Sequence, residues 1–181
     1  MTHEREVVLT KRDIEARIIP AGTEIIIPAD TFVTITQSLG GTYTVVVNGN
    51  LARIEAKDAD GLGKESAYKD FEPPEDGTVD KNQIWEALKS VYDPEIPINI
   101  VDLGLIYDCA IVNDSGLGNK VSITMTLTSP GCGMGPLIAD DVKQRVEHVP
   151  NVDLVEINLV FDPPWNNDRL SDEAKLELGL L

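Results

Sequence analysis

Hydrophobic and polar residues alternate in the first part of the chain, in short runs separated by turn residues. Two runs rich in β-branched side chains, Phe32–Gln37 and Thr42–Val47, flank the turn signal Ser38-Leu39-Gly40-Gly41. Asn48-Gly49 has the composition of a tight hairpin turn. The motif Ile-Pro-Ala-x-Thr occurs twice, eight residues apart, and we interpret its copies as successive turns. The pattern predicts a small all-β, barrel-like domain over residues 1–56.

A predicted linker follows, and after it the spacing of hydrophobic residues changes from the alternation of strands to the period of helices. Residues 57–79 are rich in glycine, proline and aspartate, which predicts a linker. Asp80 can then cap a helix, with Gln83 as its partner in a capping box. The apolar stripe of this helix has i, i+4, i+7 spacing and consists of Ile84, Leu88 and Val91.

The rest of the chain predicts five more elements. Two strands form a hairpin, and the second of them carries an apolar face. A helix beginning at Pro136, a third strand and a short helix capped by Ser171 follow. The order helix, strand, strand, helix, strand, helix predicts a compact α/β domain over residues 80–181, and an α+β fold overall. The apolar face consists of Val121, Ile123, Met125 and Leu127.

The composition narrows the choice of partners and location. The chain has 181 residues and a formal net charge of −16, which disfavours binding to nucleic acid or anionic membranes. No apolar run is long enough to cross a bilayer, and the N-terminus lacks the apolar segment of a signal peptide. Two cysteines do not make a secreted disulfide framework. We expect a cytoplasmic protein that binds neither nucleic acid nor membranes.

Cys132 is the side chain with the clearest chemical potential. It lies in Gly131-Cys132-Gly133-Met134-Gly135, just before a predicted helix. Alternating glycines leave the thiol unshielded, and amides at a helix N-terminus favour the thiolate, the form that binds metal. The alternative is that cysteine is merely a small residue in a tight turn. Cys109, in contrast, falls on the apolar face of its strand and is predicted to be buried and structural.

Strand pairing predicts where the other polar candidates lie. A hairpin loop centred near residues 116–117 predicts a register in which Leu105 faces Thr128. Four polar residues then converge with Cys132 at one edge of the sheet. For Asp93 and Glu95 the alternative is a solvated turn. For Asp102 the alternative is that it caps a turn. The four residues are Asp93, Glu95, Asp102 and Thr128.

Several enzyme classes lack their essential residues. His3 and His148 are poorly placed to act as a base for a cysteine hydrolase. A redox Cys-x-x-Cys is absent, and the glycine-rich segment lacks the Lys and Ser or Thr of a P-loop. The cysteine count excludes a complete zinc or cluster site within one chain, but not a site shared between chains. We therefore expect a protein without catalytic turnover.

Three segments together resemble the MIP18 (DUF59) family. They are Asp93-Pro94-Glu95-Ile96-Pro97, Val101-Asp102-Leu103-Gly104-Leu105-Ile106-Tyr107, and Thr126-Leu127-Thr128 leading to Cys132. This resemblance covers residues 78–181. The β-rich front half and the segment 129–136 resemble one branch, the SUF-system factor SufT, over almost the whole chain. Many members have proline directly after the cysteine, where this chain has Gly133.

The resemblance implies a small, often dimeric protein that helps to deliver or mature iron–sulfur clusters. It implies that Cys132 is the reactive cysteine, that Asp93 and Glu95 form the acidic motif, and that Asp102 is the aspartate that follows. The implied cofactor is a transient iron–sulfur cluster. Because a cluster normally takes four protein ligands and one chain offers a single usable thiol, we expect it to be held by Cys132 and shared between protomers. The implied partners are SUF assembly proteins, apo iron–sulfur clients and a second copy. A non-catalytic interaction subunit of a multicomponent oxygenase is the alternative, because some members have that role.

Overall fold

The computed structural model describes residues 5–66, 68–93, 96–131 and 133–181. The chain forms two compact units, Met1–Tyr68 and Lys69–Leu181. The first unit contains β-strands and a 3-10 helix, and the second combines α-helices with a separate sheet. The predicted α+β fold with an all-β N-terminal region is confirmed.

The first unit is a six-stranded antiparallel sheet. Its strands are β1 Glu6–Leu9, β2 Ile14–Ile18, β3 Glu24–Ile27, β4 Phe32–Leu39, β5 Thr42–Val47 and β6 Asn50–Ile54. The spatial order is β1-β4-β5-β6-β2-β3, so β1 and β3 are the terminal strands. Among the described residues β1 pairs with β4 alone, and closure into a barrel stays a prediction. The core consists chiefly of Ile14, Ile27, Val33, Ile35, Val45, Ala52 and Ile54.

The repeated Ile-Pro-Ala-x-Thr motif forms two turns that share a left-handed residue but differ at proline, since the Ile19-Pro20 peptide is cis and Ile27-Pro28 is not. Its fourth residue lies in the left-handed region in both copies, with φ of 74° at Gly22 and 59° at Asp30. Gly22 N donates to the carbonyl of Ile18 at 2.7 Å, and Asp30 N donates to that of Thr10 at 2.9 Å. Glycine and aspartate both tolerate this conformation, which explains why the copies differ at this position.

The segment predicted as a linker is divided between the two units. Its first part lies in the 3-10 helix Ala56–Leu62, and Leu62 is buried in the first unit. Near its other end, the carbonyl of Gly77 accepts a hydrogen bond from Asn119 Nδ2 at 3.1 Å, within the second unit. The boundaries 1–56, 57–79 and 80–181 stay a prediction.

The second unit contains the predicted order of elements. They are α1 Lys81–Leu88, β7 Ile106–Asp114, β8 Gly118–Met125, α2 Gly135–Glu147, β9 Leu154–Leu159 and α3 Asp172–Glu177. The central strand β8 is antiparallel to β7 and parallel to β9. None of the helices in the described ranges has the length and apolar character needed to cross a membrane.

The helix caps agree with those predicted from the sequence, with one exception. Asp80 accepts a hydrogen bond from Asn82 N at 2.8 Å, which confirms the predicted cap of α1. The predicted capping box is wrong, because Gln83 Nε2 instead donates to the carbonyl of Glu72 at 2.8 Å. Ser171 caps α3 as predicted.

The core of the second unit lies between β8 and the helices. The predicted apolar face is buried, both its three residues in β8 and Leu127 just after the strand. The apolar side of α2 is buried as well. Arg145 Nε bonds to Asp141 Oδ1 at 2.8 Å within α2, and Arg145 Nη1 donates to Ser90 Oγ at 2.9 Å. This buried pair therefore fixes α2 to the segment that follows α1, in addition to apolar packing.

The hairpin register differs from the predicted one. Leu105 lies opposite Thr126, whose N–H donates to the Leu105 carbonyl at 2.9 Å, so the predicted pairing with Thr128 is wrong. Part of the difference arises because the register shifts between Ile106 and Asp108, where one strand contains an extra residue. An irregularity of this kind has no clear signal in an alternating sequence.

Cys109 is buried, as predicted, and lies opposite Ile123. Burial raises the pKa of its thiol, because the thiolate would lose its hydration, and the nearby charge of Lys81 opposes this effect only in part. The thiol therefore stays protonated and inert near neutral pH.

We predict that Cys109→Ser lowers the free energy of unfolding by about 1–3 kcal/mol, because it places a hydroxyl among apolar side chains. Urea unfolding followed by circular dichroism measures this change. Cys132→Ser is the matched control, since the same atom is replaced in a loop, and it should leave stability nearly unchanged. Equal loss in both variants would contradict the structural role of Cys109.

Candidate functional site

The segment between α1 and β7 folds back on itself in a narrow loop. Ile100 N donates to the carbonyl of Val91 at 2.9 Å, and Asp93 N donates to that of Ile98 at 3.2 Å. The Asp93 carboxylate accepts a hydrogen bond from Ile96 N at 3.0 Å and is buried. Asp93 therefore closes the tip of this loop. Its acidic neighbour Glu95 lies outside the described residues.

Asn99 organises the next turn and orients Asp102. Asn99 Oδ1 accepts hydrogen bonds from Val101 N at 3.1 Å and Asp102 N at 2.9 Å. Asn99 Nδ2 donates to Asp102 Oδ2 at 2.5 Å. The half-exposed Asp102 carboxylate is thus held by one neighbour. Sequence reasoning missed Asn99, although asparagine bonded to the backbone two residues on is a known turn signal.

Residues 160–171, which we name the strap, run from the end of β9 back over this turn. Ser171 N donates to the carbonyl of Asp102 at 2.8 Å. Trp165 Nε1 donates to the carbonyl of Leu103 at 2.6 Å. Two consecutive carbonyls of the turn are therefore bonded by the strap, which limits its movement.

The strap also packs against the start of β7. Tyr107 donates its hydroxyl to the carbonyl of Pro163 at 2.7 Å, and the Arg169 guanidinium lies 4.2 Å from the centroid of the Tyr107 ring. Gly104 has a φ of 72°, and a Cβ atom there would lie 2.2 Å from the Arg169 carbonyl oxygen. Only glycine fits this close approach.

The loop that carries Cys132 is anchored on both sides. Before it, Leu127 is buried, and after it Met134 and Gly135 are buried. A Cβ at Gly135 would lie 2.6 Å from Leu127 Cδ1, so the two anchors touch. The residues between them that the structure describes are exposed, except for the half-buried Thr128: Ser129, Pro130, Gly131 and Gly133. Cys132 itself lies outside the described residues.

Backbone hydrogen bonds bring the candidate segments to one end of the sheet. Leu105 N donates to the carbonyl of Ile100 at 3.0 Å, and the Leu105 carbonyl accepts from Thr126 N at 2.9 Å. The turn with Asp102 is thus connected to the strand that leads to Thr128. The convergence of side chains on Cys132 stays a prediction. Within the described ranges, no three His, Cys, Asp or Glu residues are placed to hold a metal ion.

Comparison with known proteins shows which protein family the chain resembles. Residues 81–159 match the family described as iron–sulfur cluster assembly protein. A Porphyromonas gingivalis Fe-S protein maturation auxiliary factor is 48% identical over 101 residues, 56% of this chain and 92% of that protein. The Bacillus subtilis factor YitW is 45% identical over 55% of this chain and 94% of its own length. The Staphylococcus aureus factor SufT is 46% identical over 50% of this chain and 98% of its own length.

The chain therefore belongs to the iron–sulfur cluster assembly family, known as MIP18 or DUF59, and is similar to its auxiliary maturation factors. The predicted resemblance is confirmed. The family match lies entirely within the second unit and includes both turns, the cysteine loop and β9. These three relatives align with 50–56% of this chain, so a family relationship of the first unit stays a prediction.

We predict that Gly104→Ala destabilises the second unit by at least about 2 kcal/mol, because it combines a strained φ with a clash against the strap. Gly77→Ala is the matched control, since Gly77 has a similar φ of 75° but no atom within 4 Å of an added Cβ. Thermal unfolding of both variants measures the difference. An equal effect would show that the close approach contributes nothing beyond backbone strain.

Proposed function

We propose that this chain is an accessory factor in the maturation of iron–sulfur proteins that acts through the thiol of Cys132, without catalytic turnover. The observation that carries the proposal is the family match, which spans the cysteine loop and the turns of Asp93 and Asp102. The names of the similar proteins support an auxiliary role.

The loop around Cys132 supports a role in presenting a thiol. Its flanking residues are exposed, and a Cβ at Gly131 would meet no atom within 4 Å, so a partner can approach closely. The anchors Leu127 and Met134 are buried, which fixes the two ends of the loop. We expect a thiol between these anchors to be accessible, which would suit transient contact with a cluster or a client.

The neighbouring polar residues have separate proposed roles. Asp102 offers a carboxylate oriented by Asn99, and Thr128 offers a hydroxyl at the base of the cysteine loop. Asp93 shapes the tip of its turn, next to Glu95. We propose that these groups assist Cys132 in binding a cluster as cargo, or in contacting the client that receives it.

The ligand count supports weak and shared binding of the cargo. A [2Fe–2S] or [4Fe–4S] cluster normally takes four protein ligands. Because Cys109 is buried, one chain offers a single usable thiol, Cys132. Two chains would offer two thiolates and several carboxylates, which is still a poor and open site. Weak holding permits release, as delivery requires.

The charge of the second unit favours basic surfaces on its partners. Lys69–Leu181 contains 8 Lys and Arg and 21 Asp and Glu, so 8 − 21 gives −13 of the total −16. We propose that SUF assembly proteins and apo iron–sulfur clients approach this unit with positively charged surfaces. A cytoplasmic location also stays part of this proposal.

We predict that an alkylating reagent labels Cys132 at least about tenfold faster than Cys109 in the native protein, because only Cys132 is expected to be exposed. Mass spectrometry of quenched samples measures both rates. In urea the two rates should become similar, which controls for intrinsic reactivity. Equal and slow labelling of both cysteines in the native protein would remove the basis for a reactive loop thiol.

We predict that anaerobic reconstitution yields a labile cluster, below one per monomer and bridging two protomers, and that Cys132→Ser abolishes it. Absorbance spectra and iron counting measure occupancy, and transfer to an apo iron–sulfur enzyme measures release. Cys109→Ala is the control, because it removes the other thiol without adding a hydroxyl. A tight cluster that survives in Cys132→Ser would contradict this choice of residue.

A further inference from the structure

The edge of the second sheet that β9 forms is unpaired within the described ranges. β9 is a terminal strand, because the spatial order of this sheet is β7-β8-β9. Val160 N donates to the Met125 carbonyl at 2.9 Å, so the backbone of Val160 points toward β8. Backbone groups alternate along a strand, so the N–H and C=O groups of Val155, Ile157 and Leu159 point away from β8. In the part of the chain that the structure describes, β9 pairs with β8 alone, which leaves these groups for another strand.

The sequence of β9 lacks the features that usually protect an exposed sheet edge. The strand pairs with β8 without a register shift from Leu154 to Leu159, so no bulge turns its edge away. It contains neither proline nor lysine, and Glu156 is its only charged residue. The other terminal strand, β7, is irregular between Ile106 and Asp108. β9 is therefore the edge better suited to pair with an added strand.

Apolar surface accompanies the open edge at one end of the strand. Leu159 pairs with Met125, which is buried against the helices, so both residues lie on the same face of the sheet. Leu159 is nevertheless 37% exposed, and Phe161 just after the strand is 43% exposed. This apolar surface lies at the end of β8 from which the chain continues to the cysteine loop. An added strand can cover it.

Charge narrows the class of partner. Asp153, Glu156 and Asp162 are exposed along the strand and just beyond its ends, and Lys120 forms an ion pair with Glu156. The second unit carries −13, whereas Met1–Tyr68 contains 7 Lys and Arg and 10 Asp and Glu, so 7 − 10 gives −3. A basic segment is therefore attracted to this edge, and a second copy of the unit is repelled.

We propose that an extended basic segment of a partner protein adds antiparallel to β9, as a fourth strand of the second sheet. Antiparallel pairing bonds both outward groups of Ile157, and of Leu159, to one opposite residue of the segment. Apolar side chains of the segment then lie beside these two residues on the side of α2, and its basic side chains lie on the face of Glu156. The inference rests on the proposed function only for the identity of the partners, because the pairing itself does not involve Cys132.

The probe is a fluorescent six-residue peptide of alternating valine and lysine, which is as long as β9. Fluorescence anisotropy should show saturable binding to the full chain, and a peptide with glutamate in place of lysine should bind at least about tenfold more weakly. Leu159→Lys should weaken binding of the valine–lysine peptide at least about tenfold, because it removes apolar surface and adds a repelling charge. Leu176→Lys is the matched control, since Leu176 is 68% exposed on α3 and the change of charge is the same. It should leave binding nearly unchanged.

Methylation of the peptide backbone tests the hydrogen bonds separately from charge. In antiparallel pairing the valine N–H groups face β9 and the lysine N–H groups face away, because valine shares the face of Ile157 and Leu159. A peptide with N-methylvaline should therefore lose binding, whereas a peptide with N-methyllysine should keep it. Hydrogen exchange followed by NMR should show that the peptide protects the amides of Ile157 and Leu159. The amides of Glu156 and Asn158, which face β8, should be protected without the peptide.

Absence of binding by the valine–lysine peptide would overturn the proposal. So would binding that Leu159→Lys or N-methylvaline leaves unchanged, since the peptide would then be held by charge alone. Loss of binding with N-methyllysine instead would contradict antiparallel pairing, and self-association that Leu159→Lys abolishes would show that a second copy occupies the edge. Cys132→Ser should bind the peptide as the wild type does, so a failure of the proposed thiol chemistry is distinguishable from a failure of this inference.

Discussion

The second unit depends on the contact between the strap and the turn that precedes β7. The Arg169 carbonyl passes so close to Gly104 that no side chain fits there. This proximity lets Trp165 and Ser171 donate hydrogen bonds to Leu103 and Asp102. Because Leu105 then pairs with Thr126, the start of the cysteine loop is fixed relative to the same turn. One close approach thus connects the C-terminal strap to the region that bears the candidate site.

Local patterns in the sequence were sufficient for most of the fold. Alternation in β8 identified the buried face of Val121, Ile123 and Met125 correctly, because that strand is regular and one face packs on helices. Asp80 and Ser171 cap their helices as predicted, since capping depends on residues only a few positions apart. The family resemblance was also identified correctly, because its motifs lie within the matched residues 81–159.

Contacts between distant segments account for what was missed. Gln83 bonds to Glu72 instead of closing the capping box, and an extra residue near Tyr107 shifts the predicted register. Trp165 lies 62 positions from the carbonyl that it binds. The side chains of Asp93 and Asp102 were predicted to converge with Cys132 at one edge of the sheet, and each also shapes its own turn. For Asp102 this is the turn cap of the alternative interpretation, whereas Asp93 is buried and does not lie in a solvated turn.

The two units divide charge and apolar surface between them. The second unit carries most of the negative charge and the whole family match, which supports contact with assembly proteins and clients. The first unit carries only −3 of that charge and exposes apolar side chains of β1 and β4, among them Val7 and Phe32.

The central claim, that Cys132 carries the function, is tested most directly in cells that lack their own auxiliary maturation factor. The activity of an iron–sulfur enzyme in such cells should be restored by the wild-type chain and by Cys109→Ala, at equal protein levels. Cys132→Ser should fail to restore it. Full restoration by Cys132→Ser would contradict the account, because the chain would then act without its loop thiol.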